Sequence, residues 1–282
     1  MTDDPIRTSK EGAIVAGGVT PAALCAAVVA PASCGIGGYG AHATVALADG
    51  TVVAIDANST APAAIRPDSF PADAQGQVAG KANYYGWQAV GVPGTLAGLQ
   101  LLLDRYGTWS LADVATPASE LARNGFDVSA KLAMHAASAA AELLRDPESR
   151  RLYTRDGMPV AAGERIDNVQ LAELLETLAK AGSVDSFYRG AVAQQRGEAL
   201  RRHDALTTVD DLGRYEARKV EPLQADWGDL SIHTAPLTAG GVTTLQALPR
   251  RPRVVAPGVG RSLPADGRPR PRRGSGRPAA VS

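Results

Sequence analysis

Residues 35–40 read Gly35-Ile36-Gly37-Gly38-Tyr39-Gly40, with Asp56 about one strand further on. The glycine spacing is that of a dinucleotide-binding turn, and Asp56 lies near the distance expected of a ribose-binding acid. That chemistry needs a strand before the glycines and a helix after them, whose N-terminus meets the pyrophosphate. Here the order is reversed. An alanine-rich helix, opened by Thr20-Pro21 and closed by Pro31, precedes the glycines. After them, Ala41 to Leu47 and Thr51 to Asp56 flank Asp49-Gly50, a strong hairpin signal. The nucleotide reading fails, and Gly35, Gly37 and Gly38 are expected to serve a tight turn and close backbone approach.

Upstream, the apolar run Gly12 to Ala16, ending in Gly17-Gly18, suggests a buried strand or strand end. Downstream from Gly94 the period becomes helical: Leu96, Leu99, Leu103 and Tyr106 share a face, and Gly107 stops the run. Ser110 with Asp113 forms a capping box opening a helix to Gly125, with a kink expected at Pro117. Ser129 opens another helix to about Leu144. Asp167 with Gln170 caps a further one, with Leu171, Leu174, Leu175 and Leu178 on one face and Gly182 beyond its end. Gly190 to Arg202 is expected to be helical, and Thr207 with Asp210 caps a short helix before Tyr215. Two extended segments follow, Glu216 to Ala225 and Leu230 to Thr234, around a turn at Asp226 to Asp229. Val242, Leu245 and Leu248 are in helical phase after Gly240-Gly241. Strands flanking a helical middle make the fold class mixed α/β.

With 282 residues, 45% of them hydrophobic, the chain can bury one substantial core. The formal net charge is zero, yet the stretch from Pro249 is rich in arginine with Asp266 as its single acid. The remainder is therefore acidic, which argues against a nucleic-acid partner for the folded part. That Arg/Pro/Gly-rich tail, residues 249–282, lacks apolar periodicity and is expected to be disordered. The two cysteines, Cys25 and Cys34, are too few for a disulfide framework. No apolar run approaches the roughly 20 residues of a membrane span, and no basic n-region marks a signal peptide. The expectation is a cytoplasmic protein without a membrane partner. His42, His135, His203 and His233 show no metal-ligand spacing, and no serine sits in a Gly-x-Ser-x-Gly elbow. Neither a metal nor a cofactor is expected.

Read in order, several segments resemble the large-subunit region of the gamma-glutamyltransferase family. Ser33-Cys34-Gly35-Ile36-Gly37-Gly38 is similar to that family's Ser-Ser-Gly-Ile-Gly-Gly turn, and Asp56 to Pro62 followed by Phe70 to its Asp-x-Arg-Glu-x-Ala-Pro segment. Ala89-Val90-Gly91-Val92-Pro93-Gly94-Thr95 and Arg105-Tyr106-Gly107-Thr108, running on to Gly125-Phe126, follow in sequence. So do Phe187-Tyr188-Arg189-Gly190, then Leu206-Thr207 through Tyr215, then Pro236 to Gly241 with Leu245-Gln246. The resemblance runs over about residues 10 to 248, making 1–9 a leader and 10–248 one large-subunit-like domain.

The resemblance implies a self-cleaving polypeptide whose cleavage frees a threonine. Its hydroxyl attacks a gamma-glutamyl amide while its own α-amine, with a pKa of about 8, acts as base. No threonine of this sequence matches that nucleophile, and Thr2, in an unpatterned acidic leader, is a poor substitute. No catalytic residue is therefore assigned. The family's arginine that binds the substrate α-carboxylate is matched by Asn58, with Ser59 after it; asparagine can donate a hydrogen bond but carries no charge. Arg66 is near in sequence, but no motif places it in the pocket. Pro236-Leu237-Thr238-Ala239-Gly240-Gly241 replaces the family's Ser-Ser before Gly-Gly, so Gly240 and Gly241 are expected as turn residues with a less polar lining.

The fold implied is the large-subunit share of an N-terminal-nucleophile hydrolase, an αββα sandwich left incomplete, with open sheet edges and poor solubility in isolation. Three functions fit. One is an enzyme by descent, truncated and inactive, since the change after Leu248 resembles an out-of-frame reading of GC-rich DNA. Another is half of a split amidohydrolase completed by a separate threonine-bearing small-subunit chain. A third is a non-catalytic protein binding a small acyl or peptide ligand near Asn58.

Overall fold

The computed structural model describes residues 16–228, 230–236 and 240–248. Most of the strand expected at 12–16 and the Arg/Pro/Gly-rich tail lie outside them. Helix α1 (Ala16–Val29) begins before Thr20-Pro21, so Thr20 is not the expected N-cap; it lies buried inside the helix, next to Pro21. An internal proline costs about 3 kcal/mol. Burying Leu24 and Val28 gains about 1.5–3 kcal/mol each, so packing overrides the local stop signal. Pro31 both follows α1 and takes the first turn of the short α2 (Pro31–Cys34).

The hairpin is as expected. Strands β1 (Ala41–Ala46) and β2 (Val52–Ala57) pair antiparallel, with His42 opposite Asp56. The Asp49 carboxylate accepts the Thr51 N–H at 2.9 Å in the turn. Helix α3 (Thr95–Tyr106) stops at Gly107. Helix α4 (Leu111–Asn124) carries the Ser110/Asp113 capping box, contains Pro117, and ends at Gly125.

After β3 (Phe126–Asp127), the one helix expected from Ser129 to Leu144 is two. Ser129 caps α5 (Ala130–Ser138), and Ala139, at φ −113° and ψ 19°, separates it from α6 (Ala140–Leu143). Then come α7 (Pro147–Tyr153) and the short strands β4 (Thr154–Arg155), β5 (Met158–Pro159) and β6 (Arg165–Ile166). Helix α8 (Val169–Ala181) is capped by Asn168 rather than Asp167, the Asn168 side chain accepting the Leu171 N–H at 3.0 Å.

Helices α9 (Asp185–Arg189) and α10 (Ala191–Arg202) lead to α11 (Val209–Arg214), whose cap is also shifted by one residue. Thr208 and Asp211 form the capping box, whereas Thr207 is buried and donates its hydroxyl to the Val90 carbonyl. Both threonines stand three residues before an aspartate, so the local signal is degenerate; burial of Thr207 and Leu212 selects between them. The extended segment after Tyr215 is broken at Glu221-Pro222 into β7 (Arg218–Val220) and β8 (Leu223–Trp227). Strand β8 pairs with β9 (Leu230–Thr234), and helix α12 (Gly241–Ala247) follows Gly240.

In the main sheet β2 is central, with β1 on one side and β7 on the other. The pairing Asp56↔Arg218 fixes the β2–β7 register. Ile55 and Ala57 pack on Leu102 of α3, joining sheet to helix. The larger core is helical. Small residues Ala115, Ala118 and Ala122, all but fully buried, let α4 lie close against α1 and α8. Cys25 and Cys34 are free and half-buried. Among the described residues, no helix is long and apolar enough to cross a membrane.

Candidate functional site

Strand β2 ends at Ala57, and Asn58 follows at the mouth of a cavity of about 590 Å³. The chain around Asn58 is held from four directions. Its N–H donates to Asp56 Oδ1 at 3.2 Å, and its carbonyl accepts the Tyr215 hydroxyl at 2.7 Å. Thr60 exchanges two backbone hydrogen bonds with Val92, at 3.1 and 2.9 Å. Two residues beyond Ala61, the Ala63 N–H donates to Asp211 Oδ1 at 2.9 Å. Two glycines make this approach possible: a Cβ on Gly40 would collide with Asn58 Cα, and one on Gly94 with the Ala57 carbonyl and the Tyr215 hydroxyl.

A second layer fixes Tyr215. Its ring stacks on Tyr188 at 5.6 Å, and the Tyr188 hydroxyl donates to the Pro93 carbonyl at 3.0 Å while accepting the Ala97 N–H at 3.1 Å. Burial pushes Tyr188 up to about 12. Tyr215 is also raised, by burial first and then by Tyr188 and Asp56. Behind Tyr188, the guanidinium of Arg196 lies 3.9 Å from the Phe187 ring and donates to the Gly37 carbonyl at 3.4 Å. The glycine turn is tied to the helices in this way. Burial pushes Arg196 down to about 10.

The polar wall comes from β2, α11 and β7. Asp56 Oδ2 receives Arg218 Nη2 at 2.9 Å, and Oδ1 lies 3.3 Å from His42 Nε2. Burial pushes the Asp56 carboxyl up, but the Asn58 N–H, Arg218 and His42 outweigh it and leave the group below the ordinary carboxylate range. Asp211 is likewise lowered: burial raises it, and the donors at Ala63 and Thr208 prevail. Both carboxylates are thus ionised and occupied, not poised near neutrality for proton transfer. With Asn58, Ser59 and the guanidinium groups of Arg214 and Arg218 on the same cavity, the arrangement can hold a small polar acyl group in a fixed orientation.

Of the residues singled out from sequence, Asn58 and Ser59 line this cavity; Gly35, Gly37, Gly38, Gly240, Gly241 and Arg66 do not. A Cβ on Gly35 would lie 2.9 Å from the Pro31 carbonyl, and one on Gly241 would strike the Ala235 carbonyl. Around Gly37 and Gly38 there is open space. Gly240 takes φ +75°. Sequence reasoning missed Tyr215 and Arg218. Tyr215 stood in a quoted segment without a role, whereas no local signal places Arg218 opposite Asp56.

The gamma-glutamyltranspeptidase family model matches residues 10–251. The chain is 33% identical over 241 residues to the glutathione hydrolase proenzyme of Escherichia coli strain K12, covering 85% of this chain and 41% of that protein. It therefore spans about two-fifths of the length of this curated relative. Its structure is similar to the gamma-glutamyltranspeptidase of Helicobacter pylori, with a TM-score of 0.75 at 28% identity, covering 86% of this chain and 74% of the other. The gamma-glutamyltranspeptidase from Pseudomonas nitroreducens complexed with L-DON gives 0.73 at 28% identity, covering 85% and 75%. The architecture is that of the large-subunit part of an N-terminal-nucleophile hydrolase, and the chain belongs to the gamma-glutamyltranspeptidase family.

Proposed function

We propose that residues 10–248 act as the large-subunit-like, acyl-binding part of a gamma-glutamyltransferase-type amidase, and that the attacking threonine comes from outside these 282 residues, on a small-subunit chain. The observation that carries this reading is the Asn58 cavity, clamped by Tyr215 and Asp211 and lined by polar groups, with the Asp56 and Asp211 carboxylates engaged by hydrogen-bond donors. Such a wall orients a substrate; the bond-breaking hydroxyl and its amine must be brought to it.

The test is expression of the chain alone and together with a threonine-initiated small-subunit chain, assayed on gamma-glutamyl-p-nitroanilide. Turnover is expected only in the combination. Hydrolysis by the isolated chain, abolished by changing one of its own side chains, would overturn the reading. Binding without turnover in both preparations would instead support a non-catalytic acyl-binding protein.

A further inference from the structure

A second cavity, of about 640 Å³, lies between the short turn Trp87–Ala89 and the corner where α6 leads into α7. Among the described residues it shares no lining residue with the Asn58 cavity. Its volume is within the roughly 300–1,000 Å³ of small-molecule sites.

Part of the lining is aromatic. The Trp87 indole and the His203 imidazole stack face to face, with centroids 4.1 Å apart and planes within 5°. Trp87 packs against the helical core, whereas His203 is exposed. With one imidazole face covered by the indole, what stays open on His203 is its other face and its edge. Tyr85 adds a third ring to the lining. A flat ring laid on His203 would extend the stack.

The helical part of the lining is acidic. Past the break at Ala139, Glu142 and Leu143 of α6 line the cavity. Glu142 is half-buried, and among the described residues its carboxylate has no hydrogen-bond or ion-pair partner. Asp146 lines the cavity too, its Oδ2 accepting the Ser149 N–H at 2.8 Å. Against these two carboxylates stands one guanidinium, that of exposed Arg145. A half-buried carboxylate without a partner favours a cation, and a planar one can give it two parallel N–H bonds.

We propose that this cavity is a binding site for a small planar cation of the aromatic amidine or guanidine class, its ring stacked on His203 and its N–H groups on the Glu142 carboxylate. The site stands apart from the acyl-pocket reading of the Asn58 cavity. The parting of α5 from α6 then serves to bring Glu142 to the Trp87–His203 pair.

The full chain is titrated by calorimetry with three probes. Benzamidine carries the flat ring and the charge, benzamide is its nearly isosteric neutral counterpart, and cyclohexanecarboxamidine keeps the charge without the flat ring. Benzamidine is expected to bind at least about tenfold tighter than benzamide, the worth of one charge-assisted hydrogen bond. It should bind about threefold tighter than the saturated amidine, through stacking. Glu142→Gln should reduce the preference over benzamide to about twofold or less while leaving affinity for benzamide unchanged. Among the imidazole proton lines of the four histidines, benzamidine should move those of His203 upfield, identified by their loss in His203→Gln. Equal binding of benzamidine and benzamide, a preference that survives Glu142→Gln, or binding of no probe overturns the site. His203 lines unmoved by bound benzamidine, or equal binding of the saturated amidine, overturn the planar class. Should Glu142→Gln fail to fold, Arg145→Gln decides. Loss of that like charge should raise affinity for benzamidine about twofold and leave benzamide unchanged. Equal effects on both probes, or none, oppose the proposal.

Discussion

The Tyr215 hydroxyl donates a 2.7 Å hydrogen bond to the Asn58 carbonyl across 157 positions of sequence. Tyr215→Phe keeps the ring stacked on Tyr188 but leaves that carbonyl without this donor. A loss of about 1–2 kcal/mol is expected, read from the urea midpoint at constant slope. Ligand affinity at Asn58 should fall with it, since the loop loses one of its clamps.

Tyr188 and Tyr215 both have folded-state pKa values above the ordinary 10 of the free side chain. The folded state therefore holds its phenolic protons longer than the unfolded chain. Their contribution is fully present below pH 10 and declines as pH rises from there toward about 12. Urea midpoints measured over that range should drop steeply, and less steeply in Tyr215→Phe.

For Asp56 and Asp211 the sign is opposite. Both are lowered from the ordinary 3.8, so their stabilisation is present above that value and is lost as pH falls below it. Asp211→Asn, which can no longer serve Ala63 and both Thr208 donors, should cost about 1–3 kcal/mol at neutral pH and flatten the acid limb of the stability curve.

Two glycines separate turn from contact. Gly94→Ala drives a methyl into the Ala57 carbonyl and the Tyr215 hydroxyl, and should cost about 1–3 kcal/mol in thermal melts. Gly37→Ala meets open space and should change stability by less than about 0.5 kcal/mol.

The register of α11 can be checked at two adjacent threonines. Thr208→Ala removes the cap and should cost about 1 kcal/mol. Thr207→Val keeps the volume but strips the donor from the carbonyl of half-buried Val90, at a similar cost. If only Thr207→Ala disturbed the helix by circular dichroism, the cap would belong to Thr207 after all.

What could be read in advance was what neighbours in sequence decide. Asp49-Gly50 sets the hairpin, and Ser110 with Asp113 sets the start of α4, because each signal lies within four residues of its effect. Where two local solutions compete, burial chooses. Thr207 yields its cap to Thr208, and α1 runs through Pro21 because Leu24 and Val28 are buried. The Ser129 to Leu144 run contains no breaker, yet the helix parts at Ala139. Asn58 was singled out through the ordered family segments, and it lines the cavity at the end of β2. Arg218 was not, since its place opposite Asp56 comes from strand pairing over 162 positions.

Because Asp56 and Arg218 meet across 162 positions of sequence, the wall carrying Asn58 and Arg218 exists only where both distant strands are present and paired. A nascent or proteolysed fragment lacking either strand has no such wall. Any molecule that occupies it therefore acts as a thermodynamic latch on the entire polypeptide, raising its melting temperature with concentration by mass action instead of stiffening one corner.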